Sequence, residues 1–172
     1  MERLVCLIFL IVGYFFGSFS TAYFIGKGMH KDLRKEGSGN LGTTNTFRVL
    51  GVKAGLITFA GDIFKVFAAC ALAYIVVIMI LGLNIERIPL FLYTGFGAVL
   101  GHDFPFYLKF EGGKGVAATA AALIALWDWK MIAIGVVVFF GVAVATQYIS
   151  VASMSLVSAE LAAFVIFTLT GL

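Results

Sequence analysis

Residues 27–53 read KGMHKDLRKEGSGNLGTTNTFRVLGVK, the only long polar interval in an otherwise apolar sequence. What flanks it decides the fold. Upstream, Leu4 to Gly26 carries no charged residue and has the length needed to cross a bilayer, about 20 residues. Downstream, apolar tracts recur to the end, broken only by short polar turns. Over 172 residues, 62% are hydrophobic and 12% charged, whereas soluble domains hold roughly half and a quarter. That composition excludes a soluble globular protein. It predicts an all-α, polytopic integral membrane helical bundle, with residues 1–172 forming one domain and no room for an appended soluble one.

Six spans are expected: Leu4–Gly26, Gly55–Leu83, Ile88–Leu100, Ala117–Trp127, Met131–Thr146 and Val151–Leu169. The first is a retained helix rather than a cleaved signal, because no small-x-small cleavage site follows its apolar core. Gly17, Ser18, Ser20, Thr21 and Ala22 suit close helix packing instead. In the second tract Asp62 and Lys65 share a helical face. Two arrangements fit them. In the favoured one a short interfacial helix runs to about Lys65, whose ammonium snorkels outward, and the true span is Val66–Ile85; in the other, the pair lines the same polar cavity as residues 27–53. Pro89 suits the first turn of the third helix, and Trp127-Asp128-Trp129-Lys130 reads as an interfacial belt and turn.

Alternating connections place residues 27–53, 101–115 and 147–150 on one side. That side holds eight Lys and Arg residues, namely Lys27, Lys31, Arg34, Lys35, Arg48, Lys53, Lys109 and Lys114, against Arg3, Arg87 and Lys130 on the other. The positive-inside bias makes it cytoplasmic and the N-terminus external. The net charge of +3 thus reflects topology rather than nucleic-acid binding. Cys6 and Cys70 fall inside spans without metal-ligand spacing, so buried free thiols and no metal site are expected.

Two polar segments carry candidate chemistry. In the first, Gly37, Gly39 and Gly42 permit positive φ and close backbone approach, while Ser38, Asn40, Thr43, Thr44 and Asn45 add short hydrogen-bonding groups. Arg34 and Arg48 flank it and suit a bidentate grip on phosphate. An ordinary basic cytoplasmic loop has the same composition. In the second, Gly112-Gly113-Lys114-Gly115 opens a helix expected from Val116, so its amides and the positive helix end would face an anion, with Lys114 adding a full charge. It is not a Walker A loop: Leu108 stands where a glycine is required, and Gly115 where Ser or Thr would meet magnesium. His102, just upstream, reads more readily as a structural hydrogen-bonding group than as a general base. With only His30 and His102 in the chain, no Ser/His/Asp set can be assembled, and neither histidine is followed four residues later by Asp. Ser150, Ser153 and Ser155 open the last helix as an N-cap cluster or as a further donor set.

Together, Gly17-Ser18, Gly26-Lys27, Arg34, Gly37-Ser38-Gly39-Asn40-Leu41-Gly42-Thr43-Thr44-Asn45, Arg48-Val49-Leu50-Gly51, Asp62-Ile63-Phe64-Lys65, Gly101-His102, Pro105, Phe110-Glu111-Gly112-Gly113-Lys114-Gly115-Val116-Ala117 and Ile149-Ser150 closely resemble the bacterial PlsY family of membrane acyl-phosphate:glycerol-3-phosphate acyltransferases. The resemblance covers nearly the whole chain in order. It implies transfer of a fatty acyl group from acyl phosphate to the primary hydroxyl of glycerol 3-phosphate, giving 1-acylglycerol 3-phosphate and phosphate in phospholipid biosynthesis. It also implies an active site facing the cytoplasm at the inner membrane, no cofactor, and a functional partnership with an acyl-phosphate-forming enzyme. By motif match, Ser38, Arg48 and Lys114 take the catalytic positions. Arg34, Gly37, Gly39, Asn40, Gly42, Thr44, Asn45, His102, Gly112, Gly113, Gly115 and Ser150 take substrate-binding ones.

Thr43 replaces the alanine of the family's Gly-Ala-Thr-Asn, and Val66 replaces a common glycine. The family pattern also implies a seventh helix and a segment with His-Arg-x-Asn-Ile, for which these six expected spans offer no counterpart. A noncatalytic lipid- or acyl-phosphate-binding relative, or a small anion transporter, is the alternative. A transporter would spread polar residues through the midplane, whereas most here gather at one interface.

Overall fold

A computed structural model describes residues 1–126 and 129–170, and among them every regular element is helical. The chain forms two compact units, the first ending at Leu126.

In the first unit, the tract expected as one continuous span is two helices, α1 (Glu2–Ser18) and α2 (Thr21–Gly28). The backbone turns extended at Phe19 and Ser20, with neither proline nor charge to announce it. Ser20 caps α2, its hydroxyl accepting from the Tyr23 amide at 3.3 Å, as short polar N-cap residues do. A break in a membrane helix leaves polar backbone that lipid cannot satisfy, and distant side chains satisfy it here. The Tyr107 hydroxyl donates to the Ser18 carbonyl at 3.0 Å and accepts from the Ser20 amide at 3.1 Å. Lys65 Nζ donates to the Phe19 carbonyl at 3.0 Å.

Helix α1 lies against α5 (Arg87–Asp103) through facing glycines, Gly13 and Gly17 on one and Gly97 and Gly101 on the other. Each pair is spaced four residues apart, the small-xxx-small pattern that lets membrane helices approach backbone to backbone. A Cβ on Gly17 would overlap the Ala98 carbonyl, and one on Gly101 the Tyr14 carbonyl. Behind this crossing, Val66, Cys70, Ala98, Ala118, Ala121 and Ala125 form a buried cluster of small side chains. It joins α4 (Val52–Tyr74), α5 and α6 (Val116–Ala125). The short helix α3 (Thr43–Leu50) precedes α4 across Gly51, whose φ of +85° suits glycine.

The favoured arrangement of Asp62 and Lys65 is overturned. α4 runs through both residues without a break, continues as a π-helical stretch Ile75–Ile80, and buries both side chains at 2% and 4% exposure. The lysine does not snorkel because three acceptors meet it inside the unit.

In the second unit, α7 (Trp129–Thr146) and α8 (Ile149–Thr170) form an antiparallel pair across a turn at Gln147, whose φ is +60°. Glu160 is buried there beside Gly135, and the Lys130 ammonium lies 5.4 Å from the centre of the Phe167 ring.

By length and composition, Glu2–Gly28, Val52–Ile80, Trp129–Thr146 and Ile149–Phe167 suffice to cross a membrane. α5 has 17 residues and α6 has 10, below that length, so the expected count of six spans is not reached by this measure. The end of the span expected to reach Trp127, the Trp127-Asp128 part of the expected belt, and Gly171-Leu172 lie outside the described residues; Trp129 and Lys130 already belong to α7.

Candidate active site

The loop from Met29 to Gly42 is organised by one side chain. Asn45, on the first turn of α3 and 1% exposed, accepts from the Ser38 amide through Oδ1 at 2.8 Å. Its Nδ2 donates to the Leu33 and Glu36 carbonyls, each at 3.1 Å. Gly37, at φ +63°, passes so close that a Cβ would overlap Asn45 Oδ1. Below, Leu33 and Leu41 sink into a buried cluster with Ala22 and Leu108, so the loop is plugged from beneath and pinned from the side. Asn45, expected at the substrate, therefore uses its amide within the loop.

Asn45→Ala leaves one amide and two carbonyls without these partners. We expect it to lower unfolding stability by about 2–4 kcal/mol, since a buried polar group stripped of its partner costs roughly 1–3 kcal/mol. Unfolding followed in detergent micelles checks this, and a loss below about 0.5 kcal/mol would contradict an organising role.

Arg34 is also engaged locally. Its guanidinium forks onto Asp32 at 2.9 and 3.0 Å and lies 5.7 Å from the centre of the Tyr23 ring. Hydrogen bonding from Arg34 holds the Asp32 carboxyl below its ordinary range, so the pair stays intact at neutral pH. Ser38, Thr44 and Arg48 are instead exposed, with Asn40 half-buried beside Gly42. Neither Arg48 nor Lys114 enters an ion pair among the described residues.

The second loop joins the first directly, the Leu41 amide donating to the Gly112 carbonyl at 3.4 Å. Its own amides were expected to face an anion, and two of them do something else. The Gly112 amide donates to the Asp103 carbonyl at 3.0 Å and the Gly113 amide to the His102 carbonyl at 2.9 Å. These are the last residues of α5, whose terminal carbonyls would otherwise lack partners. Gly115, at φ +66°, opens α6 with the Asp103 carboxylate beside it: a Cβ there would stand 2.9 Å from Asp103 Oδ1. The Asp103 carboxylate thus sits beside the start of α6 with Oδ1 buried and making no hydrogen bond among the described residues, and Lys114 is exposed.

His102, expected at the substrate, is 6% exposed and lies beneath Gly113, where a Cβ would overlap its ring. Its Nδ1 is 2.7 Å from Lys65 Nζ. Ser150 is exposed on the first turn of α8, in the second unit. Among the described residues no cluster of His, Cys, Asp and Glu suits a metal ion, and both cysteines are free and buried.

The sequence reading missed Tyr107 altogether. Its signal was the one hydroxyl-bearing ring among Phe104, Phe106 and Phe110. Burial raises its phenol above the ordinary value, which keeps it a donor to Ser18.

The family model for glycerol-3-phosphate acyltransferase matches residues 7–172. The glycerol-3-phosphate acyltransferase of Thermosipho melanesiensis is 42% identical over 149 residues, which are 84% of this chain and 67% of that protein. Glycerol-3-phosphate acyltransferase 2 of Bacillus cereus is 45% identical over 145 residues, 84% of this chain and 68% of that one. A crystal structure of PlsY (YgiH), an integral membrane glycerol 3-phosphate acyltransferase, in its glycerol 3-phosphate form matches with a TM-score of 0.77 at 31% identity, covering 96% of this chain and 78% of the other. Its lysophosphatidic acid form matches with a TM-score of 0.73, again at 31% identity, over 96% and 77%.

Proposed function

Because the chain belongs to the glycerol-3-phosphate acyltransferase family and is an integral membrane protein of phospholipid biosynthesis, we propose that it moves a fatty acyl group from acyl phosphate to the primary hydroxyl of glycerol 3-phosphate. The observation that carries this reading is the junction of two glycine-rich loops through Leu41 and Gly112, with Lys114 exposed on the second and Arg48 exposed on the last turn of α3, the helix that follows the first. Two phosphorylated substrates call for two such cations.

Acyl phosphate is already activated, so no enzyme nucleophile is needed. The substrate hydroxyl attacks the acyl carbon, its C–O bond forms, and the carbon–phosphate oxygen bond breaks. The hydroxyl proton passes to a phosphate oxygen, leaving inorganic phosphate and 1-acylglycerol 3-phosphate. Catalysis then rests on positioning and charge stabilisation. The Ser38 amide is already donated to Asn45, so it is the Ser38 hydroxyl, with Arg48 and Lys114, that meets the developing oxyanion and the phosphates. Gly37, Gly39, Asn40, Gly42, Thr44, Gly112, Gly113 and Gly115 shape the substrate-facing surface, and no cofactor is required. A shallow, open depression lined by Phe15, Ser18, Phe19, Phe24, Phe106 and Tyr107 is apolar enough to take part of an acyl tail.

The loop charges support an N-terminus outside the bacterial inner membrane and a site on the cytoplasmic face, where an acyl-phosphate-forming enzyme would supply the donor. The family match runs through both units, which favours a single acyltransferase domain over 1–172. Purified protein in lipid, given palmitoyl phosphate and labelled glycerol 3-phosphate, should release labelled lysophosphatidic acid and phosphate, and should give none with acyl-CoA or acyl-carrier protein. Product from acyl-CoA alone would overturn the donor assignment. No product from any donor would identify a noncatalytic relative.

A further inference from the structure

Three ionisable side chains are buried together inside the first unit. Lys65, Asp62 and His102 are 4%, 2% and 6% exposed in the midst of apolar helices, where ionisable side chains are rare and costly without partners. An ammonium has three N–H donors and no acceptor, and Lys65 Nζ meets three acceptors: Asp62 Oδ1 at 3.1 Å, His102 Nδ1 at 2.7 Å and the Phe19 carbonyl at 3.0 Å. His102 Nδ1 also lies 3.4 Å from Asp62 Oδ1. With Lys65 as donor, Nδ1 is the accepting nitrogen, so the ring proton sits on Nε2, the edge beneath Gly113. One buried cation therefore reaches two parts of the molecule at once: the α1–α2 break through Phe19, and the glycine loop through the His102 ring and carbonyl.

We infer that Lys65, oriented by Asp62, acts through His102 as a positioning residue that sets the height of the Gly112–Gly115 loop for the phosphate of glycerol 3-phosphate. This rests on the acyltransferase reading above, with Lys114 of the second loop taking the phosphate of glycerol 3-phosphate. None of the three side chains touches substrate; they fix the floor on which Gly113 rests and from which Lys114 projects. The His102 ring lies against Gly113 of the second loop, so a change confined to that ring falls on the substrate this loop holds.

The test compares His102→Asn with His102→Leu in the full chain in lipid. The two replacements have similar size and both remove the ring, but only asparagine keeps an acceptor for Lys65. His102→Leu should raise the KM for glycerol 3-phosphate about tenfold over His102→Asn, as small misplacements of a binding group do. The KM for palmitoyl phosphate should stay within about twofold in both, since both variants leave Lys65 on the Phe19 carbonyl and alter only the ring beneath Gly113. Equal KM values for the two variants, or losses shared alike by kcat and both KM values, would overturn the inference and leave the network as scaffold. If His102→Leu does not fold, His102→Ala, judged by the same KM criterion against His102→Asn, decides it. A wild-type protein inert toward glycerol 3-phosphate would instead defeat the functional reading.

Discussion

Gly101→Leu should leave no folded, active protein. A Cβ at this position overlaps the Tyr14 carbonyl and stands 2.6 Å from the Ser18 amide nitrogen. Both neighbours are backbone of an intact helix, so no rotamer change relieves the clash and α1 must separate from α5. Overpacking of a side chain against side chains costs about 1–3 kcal/mol; against backbone, with loss of the whole crossing, we expect about 4 kcal/mol or more. The damage also reaches the site, because the next residues, His102 and Asp103, accept from the amides of the second glycine loop. Gly28→Leu is the control, since a Cβ there meets nothing within 4 Å. Size-exclusion profile and thermal midpoint in detergent read both. A Gly101→Leu protein with wild-type midpoint and activity would mean that α1 and α5 do not meet in this way.

The second large effect is catalytic. Ser38→Ala deletes a hydroxyl but keeps the Ser38 amide and its bond to Asn45 Oδ1, so the loop should retain its shape. Stability should change by less than about 0.5 kcal/mol, as at an exposed surface position. kcat should nonetheless fall about 100- to 1000-fold, the usual loss when one donor to a developing oxyanion is removed. Stability and activity thus separate in Ser38→Ala and fall together in Asn45→Ala, which unties the same loop from within. An activity within about threefold of wild type at saturating substrates would remove Ser38 from the reaction. Arg48→Ala, exposed and outside any described ion pair, should likewise spare stability while raising KM for a phosphorylated substrate.

The membrane character and the two polar loops were legible because their signals are local. A charge-free tract of the length from Leu4 to Gly26, or a Gly-Gly-Lys-Gly run before an alanine-rich helix, needs no partner to be recognised. Asn45 was legible as a site residue and not as a loop organiser, since its three bonds run to carbonyls and an amide 7 to 12 residues away. Lys65 was misread because snorkelling is the common fate of lysine near a helix end. What defeats that rule is an imidazole 37 residues downstream and a carbonyl 46 residues upstream. The four-residue spacing of Gly97 and Gly101 was readable in principle, but its meaning depends on Gly13 and Gly17 lying opposite. The break at Phe19 has one local signal, Ser20 as an N-cap, which close helix packing accounts for equally well.

That break has a consequence for biogenesis. Its exposed backbone is satisfied by Lys65 and Tyr107, the latter 87 residues beyond Ser20, and a ribosome adds only about 5–20 residues per second. For several seconds the newborn segment reaches the translocon with polar atoms that nothing yet made can cover. It must wait at the lateral gate, remain hydrated, or lie in the membrane as a straight helix that bends only when its later partners arrive.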